Sequence, residues 1–362
     1  MKKILYLDDE KDDLTKPIVK KLELTKKLKV TLCKPDSYEN EIVNLEKELN
    51  SYDGILLDLQ LDGEQENGNR VRYQAPTLAQ SIRTMATEGK IGDMPIILCS
   101  TESRIKETYD KDFTSHNLFD WTFLKAEIDN ETIDKIICLC EGYNVVNNNK
   151  SDFNKILNRK STEIDDRILS RFMSKKVIPP THEIARVLFK DLVQPIGSLI
   201  DENILAARLG VEKDKSSDWG KLIDAFNEVK YLGVFSGCWQ RWWSDLVLDK
   251  FEEMTGQSLS TLNALERVTA LKTNLKIEGI IEATPDKLNS SSDFWTICQV
   301  TLSPLDPFEG YRINMREEPK PWQEYSYVSL IAIANRKAKK AGVEVHPSDE
   351  SRLELDLEEL EK

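Results

Sequence analysis

Histidine is the scarcest of the chemically versatile residues in this 362-residue chain, with three copies, at 116, 182 and 346. A structural zinc site is therefore not expected. The six cysteines, at 33, 99, 138, 140, 238 and 298, are scattered, and the one close pair, Cys138 and Cys140, has no His or Cys nearby to complete a zinc shell. Reduced thiols in a cytoplasmic protein are the economical reading. Also missing is any run of about 18 apolar residues, so no membrane span is expected. The opening MKKILYLDDE has two lysines and a short apolar stretch, then Asp8, Asp9 and Glu10 with no small-residue cleavage site. It reads as a buried first strand rather than a signal peptide. Excess positive charge is absent as well: the net charge is −13, which repels nucleic acid unless a local basic patch offsets the field.

What is there first is an alternation of strands and helices. Lys3–Leu7, Val30–Cys33, Gly54–Leu59, Pro95–Cys99 and Phe119–Leu124 are short apolar strands. Between and after them, Leu14–Leu28, Tyr38–Leu49, Thr77–Thr87 and Ile128–Glu141 have helical spacing. Continuous runs such as ILL and IIL suit strands buried on both faces. The expected fold class is α/β: a five-stranded, doubly wound parallel sheet of flavodoxin-like type, followed by a mainly helical α+β second domain. In such sheets ligands bind beyond the carboxyl ends of the strands. Asp8 and Asp9 end the first strand, Asp58 the third, Ser100 the fourth and Lys125 the fifth. A lone Asp at a strand end is most often a helix cap. The joint placement of these features brings three carboxylates, a hydroxyl and an ammonium together. An all-oxygen acidic cluster suits Mg²⁺, and an aspartate beside it can act as a nucleophile toward phosphorus.

The segments ILYLDDE, DGILLDLQLDG, MPIILCST and FLK resemble the receiver domains of bacterial two-component response regulators, over about residues 1–145. The resemblance implies that Asp58 is phosphorylated by a histidine kinase. It implies that Asp9 and Asp58 bind Mg²⁺ directly with the backbone carbonyl of Gln60, and that Asp8 acts mainly through water. Ser100 is then the hydroxyl that turns toward the phosphate, and Lys125 holds another phosphoryl oxygen. Several positions depart from the family. Asp62 stands near the place of a usual proline, and 62–76 is about ten residues longer than usual. Thr101 replaces the common small residue, Thr122 stands where many receivers have an aromatic, and Ala126 where proline is common. Phosphorylation chemistry looks intact; the usual route of output looks altered.

The remainder divides, on the sequence, into a linker and connecting helix over 146–180, a mainly helical output or interaction domain over 181–345, and an acidic tail over 346–362. The asparagine-rich stretch at 144–152 reads as a linker, and 153–175 as a helix that pairs with its copy in a homodimer or, by preference, packs on its own chain. His182-Glu183 lacks the second histidine of a zinc protease, since Arg186 occupies that place. Trp239, Trp242 and Trp243 read as one face of a core helix, with a ligand or partner cleft as the lesser reading. Ile204–Val211 resembles the turn of a helix-turn-helix, yet 146–362 holds 30 basic against 35 acidic residues, so DNA binding is disfavoured. No Walker loop, hydrolase elbow, cyclase or kinase pattern is present. The leading expectation is a phosphoryl-accepting regulator that signals through protein contacts. One rival is a phosphate sink that shields a sibling regulator or effector, as in phosphorelay-like bacterial antiphage defence. Another is a phosphorylation-switched enzyme of unrecognised type over 181–345.

Overall fold

The computed structural model describes residues 1–65, 68–112, 114–173 and 178–360. It falls into two compact units, one of Met1–Lys190 with Leu232–Cys238, the other of Asp191–Tyr231 with Trp239–Lys362.

In the first unit, β1 (Lys2–Leu7), β2 (Leu28–Cys33), β3 (Gly54–Leu57), β4 (Ile96–Ser100) and β5 (Trp121–Leu124) form one sheet in the order β2-β1-β3-β4-β5. Every pairing is parallel. The helices α1 (Asp12–Leu22), α2 (Tyr38–Glu48), α3 (Ala75–Thr87), α4 (Glu102–Glu107) and α5 (Asn130–Asn148) connect and cover it. This is the expected doubly wound α/β sheet, with the flavodoxin-like strand order. The central strands read as apolar runs because both faces are covered: Ile55, Leu56, Leu57, Ile96, Ile97 and Leu98 are all fully buried. Each such side chain contributes about 1.5–3 kcal/mol over its exposed state.

Two connecting segments differ from their sequence reading. The asparagine-rich stretch is not a linker at its start, because α5 runs on to Asn148. Tyr143 and Val146 lie buried on one face while Asn144, Asn147 and Asn148 take the exposed one, so the helical period was hidden among polar neighbours. The single helix over 153–175 is broken. Phe153–Leu157 (α6) closes at Asn158, whose left-handed φ of 49° ends the helix, a conformation asparagine adopts more readily than most. A 3₁₀ turn at Ser161–Glu163 and a separate helix, Asp166–Met173 (α7), follow; residues 174–175 lie outside the described ones. Thr181–Arg186 (α8) runs into a π-helical stretch, Val187–Val193.

The second unit is mainly helical with two-stranded ribbons, as expected of an α+β lobe. Its larger core gathers α9 (Glu202–Arg208), α10 (Trp219–Ala225), α11 (Ser244–Thr255) and α12 (Ala264–Leu275) around Trp242, Phe226, Phe251 and Phe294. A smaller core holds Cys298, Leu305, Tyr311 and Val328 beside α13 (Leu330–Ala334) and α14 (Lys337–Lys340). The acidic end forms α15 (Glu350–Leu360); residues 361–362 lie outside the description. The tryptophan run is not helical. Trp242–Trp243 pairs antiparallel with Leu199–Ile200, and α11 begins only at Ser244. Adjacent strand residues face opposite sides, and here both sides are covered, with Trp242 at 0% and Trp243 at 4% exposure.

Leu232–Cys238 packs within the first unit. Val234 N–H donates to Ile156 O at 2.8 Å, and the Phe235 ring meets Phe189 edge-on at 5.2 Å. Phe235 adopts φ 69° to do so, an uncommon state for a bulky residue. Gly142 of α5 makes room for it: a Cβ there would lie 2.2 Å from the Phe235 ring. Gly142→Ala is therefore expected to lower stability by about 1–3 kcal/mol through overpacking, read as a lower midpoint in urea unfolding. An unchanged midpoint would show that Phe235 moves aside at little cost.

Candidate functional site

Leu7 and Leu57 are register partners on the adjacent β1 and β3. The residues that follow, Asp8 and Asp58, therefore leave the sheet side by side, and Asp58 N–H donates to Leu7 O at 3.0 Å. With Asp9 they offer three carboxylate oxygens within 4.8 Å of one another, the one such cluster of three His, Cys, Asp or Glu ligand atoms among the described residues. All three residues are buried. Like charges at this separation repel by about 3 kcal/mol per pair at an effective dielectric of about 20, so the cluster demands compensation.

It comes from four directions. Ser100 ends β4 opposite Leu124 of β5, which delivers Lys125 to the cluster. Lys125 Nζ lies 2.8 Å from Asp8 Oδ2, 3.0 Å from Glu10 Oε2 and 3.2 Å from Asp58 Oδ1. Arg104 of α4 places Nη1 3.0 Å from Asp58 Oδ2 and 3.4 Å from Glu10 Oε1. The Tyr6 hydroxyl donates to Asp8 Oδ2 from within the sheet. Gly63 N–H donates to Asp9 Oδ2, and a Cβ at Gly63 would lie 2.5 Å from that oxygen, so a larger residue there would push the Asp9 carboxylate aside.

The positions singled out from the sequence thus come together: Asp8, Asp9, Asp58, Ser100 and Lys125. Ser100 Oγ is buried without a hydrogen-bond partner, a hydroxyl free to turn. Gln60 lines the cavity beside the site. Glu10, Arg104 and Tyr6 were not singled out. Tyr6 had a legible signal, since it is two residues before Asp8 and strand alternation puts both on one face. Arg104 had none beyond its place one turn after Ser100.

Three carboxylates suit a hard cation with oxygen ligands. Asp58 Oδ1 is buried and meets the Lys125 ammonium at 3.2 Å without a well-formed hydrogen bond, and a carboxylate oxygen so placed still has a lone pair to give. The residues present therefore fit Mg²⁺, held by Asp8, Asp9 and Asp58. A cavity of about 520 Å³ is lined by Leu59, Gln60, Asp62, Pro76, Arg104 and Tyr109, among others, and adjoins the cluster at Arg104, which contacts Asp58. Both ends of the long 62–76 segment border it, while Val71 and Tyr73 of that segment are buried in the core. The segment is anchored: Gln65 Nε2 donates to Pro35 O at 2.7 Å and Tyr73 OH to Asp36 O at 3.1 Å.

Burial raises the Asp58 carboxyl to about 7, against the opposing pull of Lys125 and Arg104. Burial likewise raises Asp9, partly offset by the Gly63 N–H. Burial works against the Lys125 ammonium, but Asp58 and Asp8 outweigh it and hold its pKa above the ordinary value. A raised carboxyl pKa means the folded chain binds a proton more tightly than the unfolded one. Asp58 therefore opposes folding above about pH 7, and the penalty fades as pH falls toward 4. Asp58→Asn is expected to stabilise the metal-free protein at about pH 8 by on the order of 2 kcal/mol. That gain should shrink by about pH 5.5, and thermal melts at the two pH values check both.

No sequence model of a known protein family matches the chain, and no curated protein does. Solved structures do. A RitR cysteine-to-serine mutant is 14% identical over 55% of this chain and 95% of its own, with a TM-score of 0.31. NtrX from Brucella abortus is 13% identical, with a TM-score of 0.31, over 47% of this chain and 34% of its own. A structure described as a novel family of redox sensors in the streptococci, evolved from two-component response regulators, is 13% identical over 56% of this chain and 96% of its own, with a TM-score of 0.30.

Proposed function

We propose that this protein accepts a phosphoryl group on Asp58 from a histidine kinase in a Mg²⁺-dependent reaction, and passes the signal on through protein contacts in the cytoplasm. One observation carries this reading: a buried aspartate flanked by two further buried carboxylates and held by the Lys125 ammonium at the mouth of β1 and β3. Carboxylates buried together at strand ends are costly to keep, and such perturbed groups concentrate at functional sites.

In the reaction one Asp58 oxygen attacks phosphorus and the bond to the donor breaks, with its electron pair leaving on the donor. Asp9 and Asp58, with the backbone carbonyl of Gln60 and with Asp8 acting mainly through water, would hold Mg²⁺, which would supply charge neutralisation for the incoming group. Lys125 is placed to take a phosphoryl oxygen, and the free Ser100 hydroxyl to take another.

Protein rather than DNA as the partner of the second unit rests on its charges. The helix that follows the turn at Gly210 carries Lys221, which is paired to Asp218 at 2.7 Å, and Trp219, whose Nε1 donates to Glu202 at 2.7 Å. It offers no basic face for phosphates.

Incubation with Mg²⁺ and a small acyl phosphate should add one phosphoryl group, seen by intact-protein mass. Asp58→Ala should abolish the adduct, and Lys125→Ala should slow its formation by tenfold or more. An adduct that persists in Asp58→Ala sinks the assignment.

A further inference from the structure

Asp58 is held by two cations, and only one of them was expected. Lys125 takes Oδ1 and Arg104 takes Oδ2, while the two oxygens of Glu10 bridge the same pair of cations, Oε2 to Lys125 and Oε1 to Arg104. Arg104 differs from Lys125 in its setting. Its side chain is 30% exposed against 8% for Lys125, it stands on the short helix α4, and it lines the neighbouring cavity while contacting Asp58. It is thus the more solvent-exposed of the two cations on Asp58.

We propose that Arg104 is a catalytic, phosphoryl-binding residue of this site: its guanidinium passes from Asp58 Oδ2 to the phosphoryl oxygens of the aspartyl phosphate and shields that group from water. The inference rests on the proposed phosphorylation of Asp58. Once an Asp58 oxygen is esterified it loses its charge and the attraction that holds Arg104. The new charge lies on the phosphoryl oxygens, one bond beyond the carboxyl oxygen that carries them. A planar guanidinium can grip two of these oxygens at once, which an ammonium cannot. Glu10, which already contacts both cations, keeps the guanidinium from leaving the site during the exchange. Hydrolysis needs a water to attack phosphorus opposite the Asp58 oxygen, so that the phosphorus–oxygen bond to Asp58 breaks, the carboxylate leaves with its electron pair, and the proton of water goes to the phosphate. A guanidinium that moves over the phosphoryl group once the donor's leaving group has departed occupies that approach. Arg104 therefore helps the transfer and prolongs its product.

The test uses the full chain, Mg²⁺ and acetyl phosphate, with Arg104→Ala, Arg104→Lys and Asp58→Ala beside the native protein. Adduct formation and, after donor removal, adduct decay are followed by intact mass, with and without excess chelator. The charge-assisted bonds lost in Arg104→Ala correspond to roughly tenfold or more in rate. Arg104→Ala is expected to load about tenfold more slowly and to decay about tenfold faster. The faster decay should persist with chelator present, which separates the guanidinium's hold from that of the metal ion. Arg104→Lys should recover loading but only part of the lifetime, because it restores charge without the fork. An Asp58-dependent adduct whose lifetime is within twofold in all Arg104 variants overturns this inference and leaves the phosphorylation reading intact. No adduct on the native protein, or one that survives Asp58→Ala, overturns both.

Discussion

Three carboxylates buried at neighbouring strand ends repel one another, and much of the first unit is arranged around that repulsion. Lys125 must arrive from β5, two strands away from β3, and the pairing of Ser100 with Leu124 sets it at the right height. Arg104 must come from a helix that starts directly after β4. Tyr6 supplies a hydroxyl from within the sheet, and the segment after β3 bends so that the Gly63 N–H meets Asp9. Sheet order, strand length and loop path thus serve one electrostatic requirement. A carboxylate kept buried with unspent lone pairs is costly to hold, and its persistence is the strongest sign that something binds there.

The second unit uses buried charge differently. Arg208 is fully buried, yet both Glu324 oxygens accept from its Nη2 at 2.7 Å, Ser244 accepts from Nη1 at 2.6 Å, and its guanidinium lies 4.4 Å from the Trp295 ring centre. Arg267, held down to about 10 by burial, donates to the carbonyls of Leu259, Arg208 and Phe294. These two arginines tie α9 and α12 to loops that carry almost no sheet. Their donors are spent on the protein itself, in contrast to the Ser100 hydroxyl, which is buried without a hydrogen-bond partner.

The sheet was legible because a strand covered on both faces must be apolar throughout, and ILL and IIL have few other uses. The site was legible because parallel strands all deliver their last residues to one side. Legibility failed where adjacent residues are buried for different reasons. Trp242 and Trp243 fit a helical face as well as a two-sided strand, and only the pairing with Leu199 and Ile200 decides. The asparagines at 144, 147 and 148 suggest a linker by composition, yet they form the wet face of α5. Glu10 and Arg104 were obscure because their roles depend on each other across about 90 residues of chain. Charge complementarity at that separation leaves no local pattern.

Residues 232–238 carry one more consequence. The chain leaves the first unit after Lys190, returns for seven residues to lay Phe235 against Gly142, and departs again. No single cut separates such a protein into two working halves. A gene fragment ending at residue 190 would encode a sheet whose α5 has lost part of its cover, with Cys138 deprived of the Phe235 carbonyl it donates to. The first unit is therefore not one continuous stretch of chain that could be moved intact.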